Sequence, residues 1–124
     1  MVIRLAPKEL VWVGSSRKEV REFPPAVRRA LGVALFAAQC GETPPGAKPL
    51  KGFGGASVLE LIGDHDRSTY RAVYTVRFAT AIYVLHAFQK KSKHGIATPK
   101  QEMERVRERL KTAARLHAER SENR

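Results

Sequence analysis

The sequence predicts a small antiparallel α+β domain. Three observations lead to this class: two helix patterns come early in the chain, three strand patterns follow one another with short turns between them, and one long helix pattern closes the chain. A length of 124 residues favours a single domain. We expect that domain to span residues 1–124, with its core in about residues 11–117.

The first predicted elements are a short strand and two helices. Residues 10–13 form a short apolar run, as a strand would. Ser16 and Glu19 have the spacing of a capping box, so a short helix is expected to begin there. Pro25 suits the first turn of the second helix, and Gly41 suits its end. The apolar positions of the second helix recur every three or four residues and are Val27, Ala30, Leu31, Ala34, Leu35 and Ala38. The two helices should form a helical hairpin.

Three strands are predicted after a loop rich in proline and glycine at residues 42–55. Residues 58–62 are mostly apolar, residues 69–78 alternate between two faces, and residues 81–88 are nearly all apolar. In the middle strand one face carries Tyr70, Ala72, Tyr74, Val76 and Phe78. The other face carries Arg71, Val73, Thr75 and Arg77. The hairpin of helices is expected to pack on this small twisted sheet.

A long helix completes the predicted domain. Thr98 and Gln101 fit a capping box, with Pro99 at the first helical position. A narrow apolar stripe follows and consists of Met103, Val106, Leu110, Ala113 or Ala114, and His117. The opposite faces are charged, so this helix lies on the sheet or packs against another chain. Residues 118–124 are polar and are expected to fray.

The charge balance indicates a polyanionic partner. There are 23 Lys and Arg against 12 Asp and Glu, a net charge of +11, and the basic residues are spread along the chain. Such a balance favours nucleic acid, the ribosome, an acidic protein or an anionic membrane. We see no apolar run long enough to span a bilayer and no signal-peptide core, so a cytoplasmic location is expected. Because Cys40 is the one cysteine, an intramolecular disulfide and a cysteine-based zinc site are excluded. We expect the Cys40 side chain to lie in the core.

Arg71 is the first candidate functional residue. An arginine in the middle of a sheet needs a partner if it is buried. It either pairs with Glu60 on the preceding strand or lines a concave site. The pairing would not exclude a functional role, because a carboxylate can orient an arginine side chain.

The connection between the last strand and the last helix is the second candidate. It gathers Lys90, Lys91, Lys93 and His94. Lysines here can hold a phosphate, and a histidine can exchange protons near neutral pH. The alternative is a solvated turn whose lysines prevent edge pairing. Of the other histidines, we expect His65 to be polar surface, His86 a hydrogen-bonded core residue, and His117 a packing residue.

A set of motifs extends over about residues 11–110. They include Gly14-Ser15-Ser16, Ala47-Lys48-Pro49-Leu50-Lys51-Gly52-Phe53-Gly54-Gly55, Thr69-Tyr70-Arg71-Ala72-Val73-Tyr74, and the stretch from His86 to Thr98-Pro99. Together they resemble the phage-derived, HigB-like branch of the RelE/ParE toxins. The resemblance implies the RelE/ParE-like fold, in which two helices pack on a twisted antiparallel sheet.

The same resemblance implies the toxin of a type II toxin–antitoxin pair. RelE-like members enter the ribosomal A site and cut mRNA, with the 2′-hydroxyl attacking the adjacent phosphate, so no metal or other cofactor is implied. The implied partners are the ribosome, mRNA and a helix-turn-helix antitoxin. That antitoxin represses the operon, so operator DNA is contacted only through it, and no membrane is involved.

The resemblance assigns the family's functional roles to the residues of this sequence at the matching positions. Arg71 matches the arginine of the family's Tyr-Arg pair, and Lys90 and Lys91 match the basic pair after the last strand. RelE's lysines before the Tyr-Arg pair and its tyrosine after the basic pair have no counterpart here. The resemblance then leaves proton transfer to His94 or, as second choice, His65. Binding to the ribosomal RNA backbone would involve Lys48, Lys51 and Lys93.

The resemblance also allows two other functions. ParE-like relatives poison DNA gyrase and need no catalytic residues. A degenerate toxin would act only as a regulator that binds the antitoxin.

Overall fold

The computed structural model of the chain describes residues 6–90 and 98–122. Within these residues the elements are, in order, β1 (Glu9–Trp12), α1 (Ser16–Arg21), α2 (Pro25–Gln39), β2 (Lys48–Pro49), β3 (Val58–His65), β4 (Ser68–Thr75), β5 (Ala81–Lys90) and α3 (Lys100–Glu122). The predicted α+β class and the closing helix are confirmed. α3 continues to Glu122, and the fraying expected for residues 118–124 stays a prediction.

The strands form one sheet in the order β1-β5-β4-β3-β2. β3, β4 and β5 are antiparallel neighbours, as predicted. β1 instead pairs with β5 in parallel, from Glu9 opposite Ala81 to Trp12 opposite Val84. The sheet is therefore mixed: the predicted antiparallel arrangement holds for β3, β4 and β5, and the parallel pairing of β1 was not predicted. The short strand β2, which lies inside the predicted loop, adds an antiparallel edge beside β3.

Each face of the sheet carries its own hydrophobic core. α2 covers one face through Val27, Leu31, Leu35 and Ala38, which pack with Leu59, Leu61, Ala72, Tyr74, Ile82 and Val84. α3 covers the other face through Val106 and Ala113, which pack with Val58, Val73, Tyr83 and Leu85. The alternation of β4 explains the division, because neighbouring strand residues point to opposite faces.

α1 covers an edge of the sheet rather than forming a tight hairpin with α2. β1 pairs with β5 only as far as Val84, and the chain then turns into α1 beside the rest of β5. The N–H of Val13 and the hydroxyl of Ser16 both donate to the Val84 carbonyl, at 2.9 Å and 3.1 Å. The predicted helical hairpin thus needs correction: α1 lies against β5, whereas α2 lies mainly against β3.

The predicted capping box at Ser16 is wrong, whereas the one at Thr98 stays a prediction. The Ser16 hydroxyl is buried and bonds to β5, and Ser15 occupies the N-cap position. The Thr98 hydroxyl donates to Glu60 Oε2 at 3.2 Å. At Ser16 a tertiary hydrogen bond takes the hydroxyl that the local pattern assigned to the helix end.

Cys40 is exposed, so its assignment to the core is also wrong. It follows the last residue of α2 and lies on the outer side of that helix, as does Ala30. Gly41, with a φ of +87°, ends the helix as predicted.

Candidate functional site

Charged side chains from three elements meet on the sheet face that α3 covers. We call Glu60 of β3, Arg71 of β4, Lys90 of β5 and Thr98, which precedes α3, the Arg71 cluster. Thr69 is opposite Lys90 in the register, and Arg71 is opposite Phe88. Arg71 and Lys90 are therefore diagonal neighbours on one face, with backbones about 7–8 Å apart.

The ion pair between Arg71 and Glu60 is confirmed. Arg71 Nη1 lies 3.1 Å from Glu60 Oε1, and the two side chains are only 6% and 9% exposed. Thr98 donates to the second carboxylate oxygen of Glu60. Both oxygens are engaged, so the carboxylate orients the guanidinium and also ties the start of α3 to the sheet. Pairing and a role in a site are compatible here.

The basic residues predicted for the site differ in burial and in whether the structure describes them. Lys90 is buried within the Arg71 cluster. Lys48 is exposed, and because it is opposite Glu60 in the register it lies on the same face. Lys51 is exposed just beyond β2. Lys91, Lys93 and His94 lie outside the described residues, so their proposed roles stay predictions.

A second cluster was missed by sequence reasoning. Arg109 of α3 is 7% exposed and reaches across to α1, where its Nη1 donates to Glu19 Oε1 at 2.8 Å. The same nitrogen donates to the Leu85 carbonyl at 3.0 Å, and Nη2 donates to Ser15 Oγ at 2.7 Å. This Arg109 cluster joins α1, β5 and α3.

His86 of β5 belongs to the Arg109 cluster and is the hydrogen-bonded core histidine that we predicted. Its Nδ1 lies 3.2 Å from Glu19 Oε1, and its Nε2 contacts Glu102 of α3. The ring stacks on Phe88 with centroids 5.4 Å apart. A cleft of about 510 Å³ opens beside these residues and is lined by further α3 side chains, including Arg105 and Glu108.

Glu19 is the best-bonded carboxylate of the Arg109 cluster. Burial alone would raise the pKa of Glu19, but hydrogen bonds from His86, Arg109 and the Ala87 N–H outweigh it and hold that pKa well below the ordinary value of 4.5. Gly14 completes the surroundings, with a φ of +56°. A Cβ there would lie 3.0 Å from Arg109 Nε, so glycine is needed both for the backbone and for the close approach.

Of the described histidines, His65 and His117 lie apart from both clusters. His65 is exposed at the end of β3. His117 packs against Phe78, and its Nδ1 is 3.1 Å from Tyr83 Oη, which confirms its packing role. Among residues 6–90 and 98–122, no three His, Cys, Asp or Glu side chains are grouped to hold a metal ion. No described helix is long and apolar enough to cross a membrane.

A family of sequences described as "Phage derived protein Gp49-like (DUF891)" matches residues 18–111. The chain belongs to the Gp49-like family. The match contains nearly all of both clusters, from Glu19 to Arg109. It confirms the phage-derived resemblance drawn from the motifs, whereas the assignment to the HigB-like branch stays a prediction.

Two solved structures are similar to this Gp49-like chain, each at 18% identity. One is the toxin–antitoxin complex RelBE2 from Mycobacterium tuberculosis, which covers 72% of this chain and 98% of that chain with a TM-score of 0.47. The other is a mutant of the E. coli toxin RelE in the free state, in which two arginines are replaced by alanine. That match covers 66% of this chain and 82% of that chain with a TM-score of 0.49. No curated protein is similar enough to count as a relative.

The lowered pKa of Glu19 predicts a loss of stability of the Gp49-like fold in acid. A carboxyl group whose pKa is lower in the folded state stabilises the protein above its ordinary pKa, and this contribution disappears as the pH falls below that value. We therefore expect the gap in unfolding free energy between the native chain and Glu19→Gln to shrink below about pH 4.5.

Urea unfolding at a series of pH values measures that gap. Glu119→Gln is the matched control, because the Glu119 side chain is 58% exposed and pairs only with its helix neighbour Arg115. The control should follow the native chain at every pH. A gap for Glu19→Gln that stays constant down to about pH 3 would contradict the prediction.

Proposed function

We propose that this chain is the toxin of a type II toxin–antitoxin system and that it cleaves mRNA on the ribosome. The observation that carries the proposal is the Arg71 cluster, in which a guanidinium and an ammonium group lie on one sheet face beside an oriented carboxylate. Two cations at diagonal positions on one sheet face suit a phosphodiester, whose charge grows during cleavage. The net charge of +11 favours an RNA-rich target.

In the proposed reaction the ribose 2′-hydroxyl attacks the adjacent phosphate, and the bond to the following 5′-oxygen breaks. Arg71 and Lys90, with Lys91, would stabilise the charge on the phosphate. Glu60 stands beside Arg71 and can accept the proton of the attacking hydroxyl. His94 would return a proton to the leaving oxygen. Glu60 thus supplies an acid–base group that the sequence reasoning had treated only as a partner of Arg71.

Access to the cluster requires a local change. Glu60, Arg71 and Lys90 are each less than 9% exposed, and Thr98 is bonded to Glu60 at the start of α3. We therefore expect RNA binding to break the Thr98–Glu60 hydrogen bond. Lys48 is exposed on the same face, and with Lys51 and Lys93 it would hold the ribosomal RNA backbone.

The proposed partners follow from the same function. A helix-turn-helix antitoxin would neutralise the toxin and contact the operator DNA, and the toxin would act in the cytoplasm. Two other functions remain as outcomes of the test below. They are inhibition of DNA gyrase without catalysis, and regulation by a degenerate toxin that only binds its antitoxin.

Expression from a tightly controlled promoter, with mapping of mRNA 5′ ends, tests the nuclease. The native chain should arrest growth and create new mRNA ends. Arg71→Lys keeps the charge but loses the fork that pairs with a phosphate or carboxylate, so we expect cleavage to fall about 100-fold. Arg28→Lys, which changes an exposed arginine of α2 on the opposite side of the sheet, should cleave normally.

Equal soluble levels of the three chains, measured by immunoblot, are required for the comparison. Growth arrest with DNA breaks and no new mRNA ends would overturn the nuclease in favour of gyrase inhibition. No growth effect at all would indicate the degenerate regulator.

A further inference from the structure

Helix α2 is apolar on all sides over residues 30–38, which carry no charged or polar side chain. Its inner side packs on the sheet through Leu31, Leu35 and Ala38. Its outer side is exposed, with Val33 at 73% and Phe36 at 53%. A helix that is apolar all round is normally buried all round, so the single chain leaves this outer side without its cover.

The outer side of α2 contains a projection and a recess one turn apart. Gly32 lies in the middle of the helix, where glycine is unfavourable compared with alanine. Apart from its chain neighbours and the backbone of its own helix, no described atom lies within 4 Å of the place where its Cβ would be, so packing against other elements does not explain the glycine. Phe36 projects into solvent four residues later. The Phe36 ring of one helix can therefore fit into the Gly32 recess of a second helix of the same sequence, and the reverse.

The charges along α2 favour an antiparallel arrangement of two such helices. Arg28 and Arg29 are exposed near the beginning of the helix. Glu42 is exposed just after its end, where the helix carbonyls also carry partial negative charge. Two antiparallel copies place the arginines of each beside the negative end of the other. Two parallel copies would instead bring like charges together.

We propose that the outer face of α2 binds a second copy of this chain in a two-fold, antiparallel contact. Val33 of one copy lies against Phe36 of the other, and each Phe36 ring covers the Gly32 recess of the other copy. Arg29 then lies near Cys40 and Glu42 of the second copy. This contact does not depend on the proposed nuclease.

The dimer should be weak, and added salt should strengthen it. One helix pair buries less area than the 1,200–2,000 Å² or so of a standard interface, and each copy carries +11. Because salt screens the repulsion between the two copies, raising salt from about 0.1 M to 0.5 M should strengthen the dimer. Salt would weaken an association with a polyanion.

Sedimentation equilibrium of the purified full chain over a concentration series measures the association. We expect Val33→Asp to raise the dimer dissociation constant at least about 30-fold, because it places a charge at the centre of an apolar contact. Ala114→Asp is the matched control, since Ala114 is exposed on α3 and lies on the other side of the sheet. It should dimerise like the native chain.

A cysteine pair tests the geometry. In the antiparallel contact Arg29→Cys lies near native Cys40 of the second copy, so mild oxidation should give a disulfide-linked dimer. Within one chain the two positions are about 16 Å apart along the helix, too far to bridge. Adding Cys40→Ser should abolish the link.

Other outcomes overturn the proposal. Linkage of the native chain through Cys40 alone would indicate a parallel contact. A monomer at all concentrations and salt levels would rule out the second copy. If Val33→Asp then also escapes neutralisation by a helix-turn-helix antitoxin, the face belongs to the antitoxin instead.

Discussion

Arg109→Met is expected to lower the free energy of unfolding by about 3 kcal/mol. Methionine keeps part of the buried volume but removes the hydrogen bonds that Arg109 donates to Glu19, Ser15 and the Leu85 carbonyl. Glu19 would remain partly buried without the Arg109 guanidinium, and removing one partner of such a pair costs more than the intact pair contributes. Urea unfolding of the full chain measures the loss.

The control for Arg109→Met is Arg115→Met on the same helix. Arg115 is 68% exposed and its ion pair with Glu119 is long, at 3.9 Å, so we expect a change below about 0.5 kcal/mol. Equal stability of Arg109→Met and the native chain would mean that the cluster does not hold the three elements together. In that case α3 would be held by its apolar contacts and by its other polar contacts, such as the one between Tyr83 and His117.

Arg109 also shows where sequence reasoning can be improved. Val106, Arg109, Ala113 and Leu116 follow one another at spacings of three and four, so periodicity places the arginine on the buried stripe of α3. Arg109 was not singled out from the sequence, because the charged residues of the last helix were assigned together to the faces opposite the apolar stripe. An arginine inside an apolar stripe is better interpreted as a buried side chain that needs a carboxylate partner.

The parts of the fold that were predicted correctly depend on residues close together in the sequence, and the parts that were not depend on residues far apart. The alternation of β4 and the 3-4 stripe of α2 depend on neighbours in the sequence, and both were assigned correctly except at two positions: Ala30 is exposed, and Phe78, beyond the end of β4, packs on the α3 side. The parallel pairing of β1 with β5 joins residues more than seventy positions apart, and no local pattern encodes it. The capping box at Ser16 failed for the same reason, because its hydroxyl bonds to the distant Val84 carbonyl.

The Arg71 site was predictable in part. Adjacent antiparallel strands and a period of two bring Glu60 and Arg71 to one face, so the ion pair could be foreseen. The contact of Thr98 with Glu60 could not, because it depends on where α3 begins. The family match likewise leaves the chemistry of this site to experiment.

Arg71→Met alone is expected to cost about 3–5 kcal/mol of unfolding free energy, because it leaves the buried Glu60 carboxylate without its guanidinium. Glu60→Leu alone should also lower the free energy of unfolding, since it leaves the buried Arg71 guanidinium without the Glu60 carboxylate. The double variant Arg71→Met with Glu60→Leu replaces both charges by apolar groups of similar size. We expect it to recover most of the loss, and a double-mutant cycle in urea gives the coupling between the two side chains.

The double variant also separates folding from function. If Arg71 and Glu60 serve only the fold, a stable double variant should still arrest growth and cleave mRNA. If they bind and activate the phosphodiester, as proposed, the same variant should be folded yet at least about 100-fold less active. A folded double variant with normal cleavage would therefore contradict the assignment of the Arg71 cluster as the active site, whatever the single variants show.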